Sequence, residues 1–125
     1  MSEWHLELPG IKVYEISQVK TILEYHVGNT NAISRKNLLK QTTGLTDREL
    51  RLVINHLRTD GVLICSRGGH GGGYWMAENL NDLTTFIEKE LKSRAYDMLR
   101  TAKRMESAGI HKFGLQLGQM FGDKT

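Results

Sequence analysis

Arg48, Arg51 and Asn55 are the side chains of this sequence best matched in type and spacing to a defined chemical task. An arginine guanidinium can donate two parallel hydrogen bonds to O6 and N7 of guanine. An asparagine amide can make the same two-point contact with N6 and N7 of adenine. At about 100° per residue, Arg48, Leu52, Asn55 and Thr59 share one face of a helical stretch, with Arg51 and Arg58 on its flank. Leu50, Val53, Ile54 and Leu57 form the opposite, apolar stripe. Leu52 does not suit a solvated face; it could touch a thymine methyl or pack on another element. Upstream, Arg35, Lys36 and Lys40 are of the kind that meets phosphates and sets register without reading bases.

A second group of residues suits close approach of backbone to a ligand. Residues 61–77 read GVLICSRGGHGGGYWMA, with Gly68, Gly69, Gly71, Gly72 and Gly73 between two β-type runs, 62–66 and 74–77. Glycines let a loop turn sharply and lie against a phosphate or within a minor groove. Arg67 and His70 are the side chains there able to donate to nucleic acid. The loop fits neither nucleotide fingerprint: Gly69-His70-Gly71 lacks the third glycine at the required spacing, and the terminal Gly-Lys-Ser/Thr of a phosphate loop is absent. Both motifs also need a helix after the loop, where Tyr74-Trp75-Met76 reads as strand. Tyr74 and Trp75 point to opposite faces of that strand, and both are expected to pack.

Enzymatic chemistry finds little to use. His5, His26, His56, His70 and His111 have no mutual spacing, nor any to Cys65, that matches a metal site. Each reads as a surface or half-buried residue. Glu88 and Glu90 fall on different sides of a helix, and there is no Gly-x-Ser-x-Gly. No catalytic residue, metal or cofactor is expected.

The charge distribution follows the same residues. The net charge of +3 is uneven: residues 34–77 carry seven basic and three acidic groups, whereas residues 1–33 carry two and four. An excess of positive charge over the reading unit is what phosphate binding requires, although solvated surfaces often show as much. At 125 residues, 39% apolar and 25% charged, the chain is sized and composed for one soluble domain. The lone Cys65 excludes an internal disulfide, fits a reducing cytosol and reads as a buried, inert thiol. No run approaches the roughly 20 apolar residues of a membrane helix, and no secretion signal is apparent. The expected location is the cytoplasm.

These residues need elements to position them. Trp4, Leu6 and Leu8 alternate with Glu3, His5 and Glu7 before Pro9-Gly10, so residues 1–15 read as an N-terminal arm or edge strand. Ile16, Val19, Ile22, Leu23 and Val27 give an apolar face to a helix over 16–27, with Gly28 as its C-terminal cap. Residues 29–33 read as a polar loop. Ser34 caps a short second helix containing Leu38 and Leu39. A turn at Thr42-Thr43-Gly44-Leu45 leads to Thr46-Asp47-Arg48-Glu49, a capping box that opens the third helix. Asp60-Gly61 ends it.

A long helix over 79–108, about 43 Å at 1.5 Å per residue, shows a narrow stripe of Leu80, Ile87, Leu91, Met98, Ala102 and Met105, bordered by Leu83 and Arg94. Its first half is expected to pack on the domain. Its second half needs another partner, and a second copy of the chain is the simplest. In the tail, 109–125, Ile110, Phe113, Leu115, Leu117, Met120 and Phe121 lie among Gly114, Gly118 and Gly122. Small residues every fourth position allow close backbone approach; the tail either is disordered alone or docks on its own dimer or a partner protein.

Ile33-Ser34-Arg35-Lys36-x-Leu38 followed by Thr43-Gly44-Leu45-Thr46-Asp47-Arg48 resembles a bacterial or phage helix-turn-helix. Gly72-Gly73-Tyr74-Trp75 after the hairpin tip resembles the wing of biotin-repressor-like winged-helix domains. Together with the charged C-terminal helix, residues 16–108 resemble small winged-helix proteins of Gram-positive bacteria and their phages. The sparse charge of the wing departs from that pattern. The resemblance implies an α+β fold, mainly helical with a small β-hairpin: a winged helix-turn-helix over 16–78 with a long C-terminal helix. It implies the third helix as reader, hence Arg48, Arg51, Leu52 and Asn55, with Arg67 and His70 on the wing. The full set of expected DNA contacts is Arg35, Lys36, Lys40, Thr46, Arg48, Arg51, Leu52, Asn55, Arg58, Arg67 and His70. The expected function is sequence-specific binding of double-stranded DNA by a transcriptional regulator, dimeric through residues 80–108. The alternative is a winged-helix protein-interaction module in phage or plasmid replication or assembly.

Overall fold

A computed structural model describes residues 10–42, 44–69 and 72–114 of the chain. The alternating pattern at Trp4, Leu6 and Leu8, the loop residue His70 and most of the glycine-spaced tail lie outside the described residues. The chain is mainly helical with one two-stranded antiparallel hairpin, an α+β protein. It divides into a unit ending at Phe86 and a second beginning at Ile87.

In the first unit α1 (Val13–Leu23), α2 (Arg35–Gln41) and α3 (Asp47–Thr59) precede β1 (Ile64–Arg67), β2 (Gly73–Met76) and α4 (Leu80–Phe86). Val19 and Leu23 of α1, Leu38 of α2, Leu50, Val53, Ile54 and Leu57 of α3, and Ile64 of β1 make one buried core, joined by Ile33 from the α1–α2 connection. The apolar stripe read on α3 is therefore its core face. His56 is buried as well, on the edge of that stripe, whereas the lone histidines were expected at or near the surface.

The ends of α3 follow from local chemistry. The Thr46 hydroxyl accepts from the Glu49 amide at 3.1 Å, and Glu49 Oε1 accepts from the Thr46 amide at 2.9 Å, closing the capping box. At the other end Gly61 adopts φ +93°. The Gly61 amide donates to the Arg58 carbonyl at 3.0 Å and the Val62 amide to Leu57 at 2.9 Å, the paired bonds of a left-handed helix stop.

The end of α1 departs from its sequence pattern. The helix stops at Leu23 rather than Val27, and Gly28 is not its cap. The chain past Leu23 is claimed by β2: the Met76 amide donates to the His26 carbonyl at 2.7 Å, and the Gly28 amide to the Met76 carbonyl at 2.9 Å. Val27, the last member of the helical stripe, is 42% exposed. The following segment is also more than a polar loop. It holds a 3₁₀ turn, Asn29–Asn31, after which Ile33 and Tyr74 exchange backbone hydrogen bonds at 2.9 and 2.8 Å. β2 thus has β1 on one edge, in the register Ile64 opposite Met76 and Arg67 opposite Gly73, and the α1–α2 connection on the other. Gly73 sits where a Cβ would collide with the carbonyl of Ile33; only glycine admits that approach.

Tyr74 packs against the core and Trp75 is buried on the opposite face of β2. The Trp75 indole donates to both Asp82 carboxylate oxygens, at 3.2 and 3.1 Å. Phe86 is buried, while Leu80, expected on the packing stripe, is 76% exposed.

The second unit opens with a π-helical stretch, Ile87–Lys92, followed by α5, Ser93–Phe113, which extends five residues beyond the expected limit of 108. A π turn takes more residues than an α turn, so the apolar stripe shifts register across it.

Candidate nucleic-acid interface

Two helices of the first unit present the basic residues. Ser34 Oγ accepts from the Asn37 amide at 3.1 Å and starts α2. With seven residues, α2 projects little helix dipole of its own, so its side chains carry the charge. Arg35, Lys36 and Lys40 are exposed. Together with Leu39 and Asp47 they line an open concavity of about 500 Å³ between the start of α3 and the exposed side of α2.

Asp47 is the hinge of this surface. Its carboxylate meets Arg35 Nε at 2.8 Å and an Arg51 terminal nitrogen at 3.2 Å. It thereby holds a cation from α2 beside one from α3. All three side chains are roughly half exposed, so the pairs are open to water and to competing anions. Arg48, Arg51 and Asn55 are exposed on α3, and Leu52 is 36% exposed among them. The exposed Thr46 hydroxyl accepts the capping bond that starts α3, and its own proton can still be donated to a further acceptor.

Two expected contacts are engaged within the domain. Arg58 Nε donates to the Ile64 carbonyl at 2.8 Å, and its terminal nitrogen to Ser66 Oγ at 3.0 Å. Its guanidinium lies 5.0 Å from the centre of the Phe86 ring. Arg58 is thus a strut between α3, β1 and α4. Arg67 is on the hairpin as expected, where it stands 5.2 Å above the Trp75 ring and reaches the Asn29 carbonyl at 3.4 Å. His70, the other hairpin residue expected to contact DNA, lies outside the described residues.

Sequence reasoning missed Asp47 as part of the site, reading it only as a member of the capping box. The four-residue spacing to Arg51 was a visible signal; the link to Arg35 depends on how α2 and α3 pack.

Cys65 is fully buried. Desolvation, then the nearby Asp82 carboxylate, push its thiol up to about 11, opposed by Arg58. It is held protonated and unreactive. Among the described residues no group of three histidine, cysteine, aspartate or glutamate side chains is arranged to hold a metal ion, and no helix is long and apolar enough to cross a membrane. Comparisons with family models, curated proteins and solved structures give no match for this chain.

Proposed function

We propose that the first unit is a winged helix-turn-helix that binds double-stranded DNA, with α2 and α3 as its two helices and the β1–β2 hairpin as its wing. In this reading α3 enters the major groove and presents Arg48, Arg51 and Asn55 to base edges. Lys36 and Lys40, with Arg35, meet the flanking phosphates. The observation that carries the reading is the concentration of exposed cations around one open concavity, beside a helix face bearing arginine and asparagine. Arg58 is assigned to the domain's internal structure. Arg67 contributes at most an auxiliary contact, since it is engaged with Trp75 and Asn29.

A chain of this kind acts as a cytoplasmic transcriptional regulator, paired as a homodimer through its C-terminal helix. A second reading, a protein-docking module of a replication or assembly machine, is favoured by one feature: Leu52 leaves apolar surface in the middle of the proposed reading face.

Salt separates the two. Each phosphate neutralised contributes about −0.9 to the slope of log affinity against log salt. The experiment is recovery of random genomic fragments by the full-length protein across a salt series, with sequencing of what is bound. Recovery of a few related sites with inverted symmetry, lost steeply as salt rises, supports the dimeric regulator. No recovery at low salt overturns it.

A further inference from the structure

We infer that α5 pairs with α5 of a second copy of this chain in antiparallel orientation, with the two-fold axis level with Arg100. This rests on the homodimer reading above and adds its direction and register. Within α5, Ala95, Met98, Ala102, Met105 and Gly109 recur at alternating intervals of three and four residues. That is the period of a helix seam that faces a partner helix. Met98 is 73% and Met105 68% exposed, and Leu99 beside them 60%. Three large apolar side chains left in water along one helix need a cover.

The composition of the seam selects the occupant and its direction. One of its two rows is small throughout: Ala95, Ala102 and Gly109. The other is large: Met98 and Met105. Parallel pairing would stack small on small and large on large in alternate layers, too loose and too full for one interhelical distance. Antiparallel pairing sets Ala95 against the partner's Met105 and Met98 against the partner's Ala102. Every layer then joins one large and one small residue, and one close spacing serves all of them.

The position that follows the large row at the middle of α5 is Leu99. In antiparallel pairing it faces the same position of the other helix, so Leu99 packs on the partner's Leu99 at the axis. The flank that carries Asp97, Arg100 and Arg104 stays in water.

The test uses the full chain, its native Cys65 buried and out of reach. Sedimentation gives the mass, and oxidative cross-linking of cysteine variants gives the direction. A Met105→Cys chain mixed with an Ala95→Cys chain is expected to form a mixed disulfide, because their Cα atoms face across one layer. Neither variant alone is expected to cross-link: two copies of position 105 would stand about 15 Å apart along the axis at 1.5 Å per residue. Leu99→Glu, at the proposed axis, is expected to weaken the dimer several-fold. A dimer in which Met105→Cys links to itself overturns the antiparallel register while leaving the homodimer reading intact. A monomeric mass for the unmodified chain at micromolar concentration overturns both.

Discussion

Replacing Asp47 by asparagine should weaken the fold slightly and strengthen DNA binding, an opposition that few residues of the surface can produce. Asp47 holds Arg35 at 2.8 Å and Arg51 at 3.2 Å. Exposed ion pairs of this kind are worth about 0–1 kcal/mol each. A carboxylate in the first turn of α3 adds about 0.3–1 kcal/mol through the helix dipole. The variant should therefore lose about 1–2 kcal/mol of stability. On the binding side, the substitution removes a negative charge from a surface that must meet phosphates and releases two cations. A unit charge at about 4 Å in water is worth about 1 kcal/mol, or roughly fivefold in affinity. If Arg35 then takes a phosphate, the log–log salt slope should steepen by about 0.9. Fluorescence anisotropy with a random-sequence duplex between about 50 and 200 mM salt reads both quantities, and thermal unfolding reads the stability. Weaker binding by a folded variant would refute the reasoning: Asp47 would then be aiming the arginines rather than competing for them. Equal affinity and slope would place the DNA elsewhere on the molecule.

Three further outcomes are expected. Arg58→Met should lower stability by about 1–3 kcal/mol, because the Ile64 carbonyl and Ser66 hydroxyl lose a charged donor; DNA affinity of the folded protein should stay unchanged, and a loss of affinity would return Arg58 to the interface. Cys65 should react with thiol reagents far more slowly in the native protein than after unfolding. With its thiol raised from 9.0 to about 11, its contribution to stability is complete below pH 9 and declines as pH climbs toward 11; fast alkylation of the native protein at neutral pH would contradict this. Gly73→Ala should cost about 1–3 kcal/mol by forcing β2 away from Ile33, whereas Gly68→Ala, with nothing within 4 Å of its added Cβ, should melt like the parent.

Features governed by local rules were legible in the sequence. The capping box at Thr46 and Glu49, the stop at Gly61 and the buried stripe of α3 each depend on a few consecutive residues, and each appears where the pattern placed it. The hairpin strands were read within two residues of their observed limits. What was not legible depends on partners remote in sequence. The helical periodicity of α1 runs on to Val27, but backbone pairing with Met76 takes that segment out of the helix. The π-helical stretch at Ile87–Lys92 leaves no compositional mark among its Glu and Lys residues, which suit an ordinary helix equally well.

The arginines show why a site is harder to read than a fold. Arg51 and Arg58 stand on the same helix, seven residues apart, and share the flank of one face in any helical projection. Their fates differ because of what lies beyond each end of α3. Near its start is α2, which brings Arg35 to the Asp47 carboxylate that also holds Arg51, beside an open concavity lined by Asp47. Near its end the chain turns at Gly61 into β1, and the Ile64 carbonyl and Ser66 hydroxyl arrive within reach of Arg58. A guanidinium beside a turn leading into a strand meets carbonyl acceptors, and it is drawn inward. One beside a helix start meets only a carboxylate at the surface, and it stays outward, where an exposed ion pair of about 0–1 kcal/mol is weak enough for a phosphate to displace. The position of each arginine along α3, more than its face, decides whether it serves the fold or the proposed ligand.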